Sequence, residues 1–173
     1  MSYQFRPAIT AEIPTIWAIL QQAIQRRKVD GSKQWQDGYP NPEVVLQDIE
    51  KGVGFVLTLE DRIIAYSAVL INDEPAYADI EGQWLTNGDF IVFHRVAVAE
   101  SFLGKGIAKV LFGCIETYAR QHKVYSVKVD TNFDNPAMLA LLKNTGYVYC
   151  GEVHFRGSAR MAFEKVLTNS IAE

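Results

Sequence analysis

Phe90-Ile91-Val92-Phe93-His94-Arg95-Val96-Ala97-Val98 runs into Ala99-Glu100-Ser101-Phe102-Leu103-Gly104-Lys105-Gly106-Ile107-Ala108, and this stretch decides the fold. The first part is apolar and β-branched, as in a buried strand. A short polar link follows, and a Gly-x-Gly turn opens a segment of helical periodicity. The order is strand, glycine turn, helix. Such a turn leaves the first N–H groups of a helix unpaired, with no side chains in front of them. That end of a helix suits a phosphate or pyrophosphate.

The helix predicted from about Gly104 to His122 turns Ile107, Leu111, Cys114, Ile115 and Tyr118 inward. Upstream, Gly54–Leu59 and Arg62–Leu70 read as a hairpin around Glu60-Asp61. Residues Ile71 to Asp89 form a long connection carrying Pro75, Tyr77 and Trp84, and long connections in compact domains are often functional. Near the start, Tyr3–Ala8 reads as a strand, and Thr10 is expected to cap a helix with Glu12 in its first turn. Ile13, Ile16, Trp17, Leu20, Ala23 and Ile24 carry that helix to Asp30-Gly31. After a loop containing Trp35, Tyr39 and Pro40, Asn41 and Pro42 start a second helix that runs to about Lys51. Downstream lie a strand at Tyr125–Asp130 and a helix at Asn135–Thr145 with Ala137, Met138, Leu141 and Leu142 inward. Two closing strands follow, Tyr147–Val153 and Met161–Leu167. Interleaved strands and helices of this kind predict one α/β domain with a mixed sheet.

Composition narrows the function. The 173 residues suit a single domain with a full core, and 49% of them are apolar. A net charge of −3 argues against a nucleic-acid binder that works by phosphate neutralisation. Cys114 and Cys150 lack metal-ligand spacing, and no metal site is expected. The N-terminus carries no charged-then-apolar signal, and no apolar run suits a membrane span. The expectation is a cytoplasmic protein with neither nucleic-acid nor membrane partners.

Common nucleotide motifs do not fit the glycine turn. A dinucleotide fingerprint needs a third glycine where Lys109 stands. A phosphate-binding P-loop needs Lys-Ser/Thr where Ile107-Ala108 follow Gly106. A glycine turn with no ligand stays open on this motif alone. Charge shifts the balance: Lys105, Lys109, Arg120, Lys123 and Lys128 face a single acid, Glu116, in the following segment. The span from Ile63 to His94 has no Lys or Arg and carries Asp73, Glu74, Asp79, Glu81 and Asp89. One region could favour a polyanion and another an amine.

With these residues in place, the chain resembles the GNAT superfamily of N-acetyltransferases over nearly its whole length. Val96-Ala97-Val98 resembles the end of that family's central strand. Leu103-Gly104-Lys105-Gly106-Ile107-Ala108 resembles its pyrophosphate loop, and Asn135 to Tyr147 its second acetyl-CoA segment. Ser101 stands where the loop often begins with Gln or Arg, Met138 fills an Ala slot, and Leu142 fills a Tyr slot. In many relatives that tyrosine is thought to protonate the leaving thiolate, which Leu142 cannot do. The resemblance implies a single domain over residues 3–167, a tail at 168–173, and a mixed sheet of about six to seven strands flanked by about four helices. It also implies acetyl-CoA as acetyl donor, lying between the strands that end at Val98 and Asp130, with a small-molecule or peptide amine as acceptor. A homodimer is compatible with it. Cofactor contacts are then expected from Val96, Ala97 and Val98, which would pair with the pantetheine arm as an added strand would. Leu103, Gly104, Lys105, Gly106, Ile107 and Ala108 would hold the pyrophosphate, and Asn135 would add a contact. A strand N–H near Val96 to Val98 would stabilise the oxyanion.

The amine must lose a proton before it attacks. An alkyl amine of pKa ~10.4 is mostly charged at neutrality, at a penalty of about 4–5 kcal/mol. His94 is the expected general base, since strand alternation sets it two residues before Val96 on one face. Glu81 and Asp79 are alternatives, and Trp35, Tyr39, Tyr77 and Trp84 could wall an acceptor pocket. The competing functions are a CoA-binding regulatory or sensor module with little turnover, motivated by Leu142, and a nucleotide-binding domain that uses the same turn.

Overall fold

The computed structural model describes residues 2–169, so Met1 and residues 170–173 of the expected tail lie outside it. Eight strands and four helices are present among the described residues. The strands are β1 (Tyr3–Pro7), β2 (Gly54–Leu59), β3 (Arg62–Ile71), β4 (Glu81–Gly82), β5 (Ile91–Val98), β6 (Ser126–Thr131), β7 (Val148–Phe155) and β8 (Ser158–Val166). The helices are α1 (Ile13–Val29), α2 (Pro42–Glu50), α3 (Ile107–Gln121) and α4 (Pro136–Asn144). All eight strands join one mixed sheet in the order β1-β2-β3-β5-β6-β8-β7-β4, with β5 and β6 parallel. The expected count was one or two strands short, because β4 has only two residues and no periodicity to announce it. Gly82 and Gly151 meet in the β4–β7 ladder at positive φ, and a Cβ on either would fall 2.1–2.2 Å from a carbonyl oxygen opposite. Only glycine permits that approach.

The chain forms two compact units. Among the described residues, the first comprises 2–69 and 94–114, and the second 70–93 and 115–169. In the first unit, Ile16, Ile19, Leu20 and Ala23 of α1 form one buried stripe with Val45, Val56 and Tyr66. Thr10 does not cap α1, because a 3-10 turn at Thr10–Glu12 precedes it. Glu12 instead reaches back to the Ile9 N–H at 2.9 Å and pairs with Arg6. Asn41 caps α2 by accepting from Val44 N–H, and Pro42 occupies the first turn. Glu60 and Asp61 both take positive φ, as a two-residue hairpin turn of matching twist demands.

In the second unit, β6 pairs with β8, and β8 with β7. The long connection is held by a buried carboxylate. Glu164 of β8 accepts from the Leu85 and Thr86 N–H groups, the Thr86 hydroxyl and the Ser126 hydroxyl. Four donors satisfy a carboxylate that would otherwise be costly to bury. On α4, Leu142 is fully buried and Met138 half-buried, whereas Ala137 is exposed rather than inward. Leu142→Ala is expected to lower stability by about 2–5 kcal/mol through lost burial and a residual cavity. Thermal melting checks this. A variant that melts like wild type would overturn this packing role for Leu142.

No helix among the described residues is long and apolar enough to cross a membrane.

Candidate active site

The glycine turn lies in the first unit, between β5 and α3. After Val98 the chain makes a short 3-10 turn at Glu100–Phe102 and then passes through Gly104 at φ 74° and Gly106 at φ 73°. Both conformations are left-handed and favour glycine. A Cβ built on either residue meets nothing within 4 Å, so the space above the turn is open. Ile107, Ala108 and Lys109 begin α3, and their N–H groups have no acceptor within the helix. The helix dipole adds partial positive charge at the same end.

Two cations lean on the turn. Lys105 Nζ lies 5.2 Å from the centre of the Phe102 ring, and the Arg62 guanidinium lies 5.1 Å from it. Arg62 also donates to the Ser101 hydroxyl at 3.4 Å. A guanidinium therefore stands beside the position where the sequence lacks Gln or Arg. Sequence reasoning missed it, because Arg62 is 39 residues upstream on the hairpin. Arg26 was missed for the same reason. It reaches from α1 to donate to the Val98 carbonyl at 3.0 Å and anchors the end of β5. The open space, the free helix end and the nearby cations fit a pyrophosphate.

β5 does not alternate regularly. Arg95 has φ 57°, a left-handed residue inside a strand, which is the signature of a local bulge. The alternation that sets His94 on the face of Val96 is interrupted at the residue between them. His94 is half-buried, and its carbonyl accepts from the Ser67 hydroxyl at 2.9 Å. Arg95 turns into the unit and grips Asp48 with two bonds of 2.6 and 2.9 Å, while donating to the Tyr39 hydroxyl at 2.6 Å. The Tyr66 hydroxyl donates to the same carboxylate. Burial works against the Arg95 charge, but Tyr39 and Asp48 hold its pKa above the ordinary value. Burial first, and then Asp48, raise the Tyr66 phenol above its usual range, so it stays protonated as a donor.

The four aromatic residues expected to wall a pocket are not one group. Trp35 is buried in the first unit, with the Arg27 guanidinium 3.8 Å above its ring. Burial pushes Arg27 down to about 10. Tyr39 belongs to the Arg95 network. In the second unit, Tyr77 is buried and donates to Asp130 at 2.6 Å, and the Trp84 indole N–H donates to the Tyr77 carbonyl at 2.9 Å. These aromatic residues brace their loops.

Asn135 accepts from Met138 N–H and caps α4. Tyr147 is buried edge-on against Phe93, and burial first, then Glu116, raise its phenol well above its usual range. Lys128, counted with the basic segment, is instead buried in β6. Asp79 and Glu81 are exposed. Glu81 stands opposite Glu152 across the β4–β7 ladder, and the ligand atoms of Glu81, Glu152 and His154 lie within 4.8 Å of one another. That geometry admits a divalent cation at an exposed sheet edge, and a sequence with no clustered His or Cys gave no signal of it.

Among curated proteins no relative matches the chain. A GNAT-family acetyltransferase from Streptococcus agalactiae is 34% identical, with 96% of each chain covered and a TM-score of 0.87. A Salmonella typhimurium protein solved with its cofactor acetyl-CoA is 15% identical, with 99% of this chain and 98% of that chain covered and a TM-score of 0.68. A ribosomal-protein-alanine N-acetyltransferase from Brucella melitensis is 20% identical, with 95% and 99% covered and a TM-score of 0.68. The model of the acetyltransferase (GNAT) family matches residues 17–147, a span that contains the glycine turn, the β5 bulge and α4. The chain belongs to the GNAT family of acetyltransferases.

Proposed function

We propose that the protein transfers an acetyl group from acetyl-CoA to a primary amine, by direct attack in a ternary complex, in the cytoplasm. We also take residues 3–167 as its single catalytic domain, since family and structural matches run across both compact units. The observation that carries the reading is the turn at Leu103–Ala108: two left-handed glycines, open space above them, a helix N-terminus, and Arg62 and Lys105 beside it. When bound, acetyl-CoA supplies a thioester activated for attack by an amine.

The chain's own groups do the rest. N–H groups from Leu103 to Ala108 bind the pyrophosphate, and the two cations offset its charge. Backbone of Val96, Ala97 and Val98 holds the pantetheine arm as a strand would. A strand N–H in that stretch would stabilise the negative charge that builds on the thioester oxygen. His94 accepts the proton of the amine, directly or through water. The bulge at Arg95, pinned by Asp48, fixes where these strand groups point.

The test is thiol release from acetyl-CoA against a library of amines. Saturable, amine-dependent release supports the reading. Tight CoA binding without release from any amine would favour a CoA sensor of the same fold. For His94, the His94→Ala variant is expected to lower the rate of amine acetylation and to alter its pH profile, with CoA affinity unchanged. A wild-type profile in His94→Ala would transfer the role to Glu81, Asp79 or water.

A further inference from the structure

The long connection and β6 line an open cavity of about 290 Å³ in the second unit, with Asn72, Glu74, Tyr77, Thr86, Phe90 and Lys128 among its walls. The acetyl-transfer reading makes no use of it. Most of its polar side chains are already committed. Asn72 bridges Asp89 and the Phe90 N–H, Tyr77 donates to Asp130, Thr86 donates to Glu164, and Glu74 accepts from Ala76 N–H.

Lys128 differs. It is only 4% exposed, yet its ammonium makes no hydrogen bond or ion pair among the described residues. Its Nζ sits 4.4 Å from the centre of the Trp84 ring and 4.3 Å from that of Phe90. Ring faces attract the charge but accept none of its three N–H bonds well. Glu164, its cross-strand neighbour, supports the charge from a distance, but four other donors occupy its oxygens. Burial lowers the Lys128 pKa, and Glu164 opposes that shift. The stem of Lys128 is therefore buried while its ammonium faces the cavity, with no protein acceptor on its N–H bonds, and can meet an anion that enters there.

We propose that this cavity binds a small monocarboxylate, its carboxylate on Lys128 and its short tail against Tyr77 and Phe90. Its volume, near the lower limit of about 300 Å³ for drug-sized pockets, suits a small ligand. Glu74 on the wall and Asp89 behind Asn72 disfavour a multiply charged anion such as phosphate.

The Trp84 indole N–H is a built-in reporter, and its nitrogen-15 resonance can be followed in the intact protein. Titration with propionate is expected to shift it saturably, while propionamide, its neutral counterpart, leaves it in place. Inorganic phosphate is expected to bind more weakly than propionate. Alanine binding at least as tightly as propionate supports the same site, with Glu74 facing the amine. Lys128→Met is expected to weaken propionate binding at least about ten-fold, the loss of one charge-assisted bond. Equal shifts from propionate and propionamide, no saturable shift, or phosphate binding more tightly than propionate would each overturn the proposal. The wild-type comparison decides it even if Lys128→Met fails to fold. Undiminished propionate affinity in a folded Lys128→Met variant would overturn it as well.

Discussion

Arg95→Met is expected to destabilise the protein by about 3–5 kcal/mol, the usual effect of removing one partner from a buried ion pair. The Arg95 and Asp48 side chains are only 12% and 6% exposed. Without the guanidinium, Asp48 keeps the Tyr66 hydroxyl but loses its counter-charge and both bonds of the fork. The penalty is the desolvation of a carboxylate left behind, more than the intrinsic strength of the pair. A second substitution therefore reverses part of the loss: Arg95→Met with Asp48→Asn removes both charges while the amide oxygen can still accept from the Tyr66 hydroxyl, and is expected to recover part of the stability. Urea unfolding of the two variants makes the comparison. For a chain of this size, the single variant should melt roughly 6–20 °C lower. A single-variant loss below about 1 kcal/mol would mean that the pair behaves as a solvated surface contact.

Gly106→Val is expected to weaken CoA binding on the order of 100-fold or more while the fold survives. A β-branched residue at φ 73° is a backbone outlier, worth about 1–2 kcal/mol of strain. The new side chain meets no protein atom within 4 Å of its Cβ, so the core is undisturbed. It projects instead into the space at the start of α3 that a pyrophosphate would fill. Losing two charge-assisted bonds there, at about 1.5–3 kcal/mol each, gives the stated factor. Calorimetric titration with CoA measures it, and circular dichroism checks the fold. Unchanged affinity in a folded variant would falsify the assignment of the pyrophosphate turn.

The sequence made the periodic parts of this molecule readable. α1, α2 and α3 have apolar stripes and terminal signals such as Asn41-Pro42, and the β2–β3 hairpin has a compact turn. The glycine turn was readable because glycine at positive φ is a local property. What escaped depends on distance along the chain. Arg62 beside Ser101, Arg26 on Val98, and Arg95 on Asp48 join residues 39, 72 and 47 positions apart. No local pattern encodes such pairs. The face of His94 escaped for a different reason. Period-two reasoning assumes an unbroken strand, and the left-handed Arg95 breaks it without any glycine to give warning. Lys128 shows the weakness of charge counting, which treats every lysine as solvated.

The place of β8 governs the order in which this protein is completed during synthesis. In the sheet it stands between β6 and β7, although it follows both along the chain. Until the ribosome has released residues 158–166, β6 and β7 have no strand to join them, and the connection around Leu85 and Thr86 lacks the carboxylate that anchors it. The α1–α2 segment makes its local contacts long before that point. The second unit is therefore assembled late and from distant pieces, with the slow step set by contacts far apart in sequence. Unpaired edges of β6 and β7 in that interval are where a nascent chain is most exposed to wrong partners.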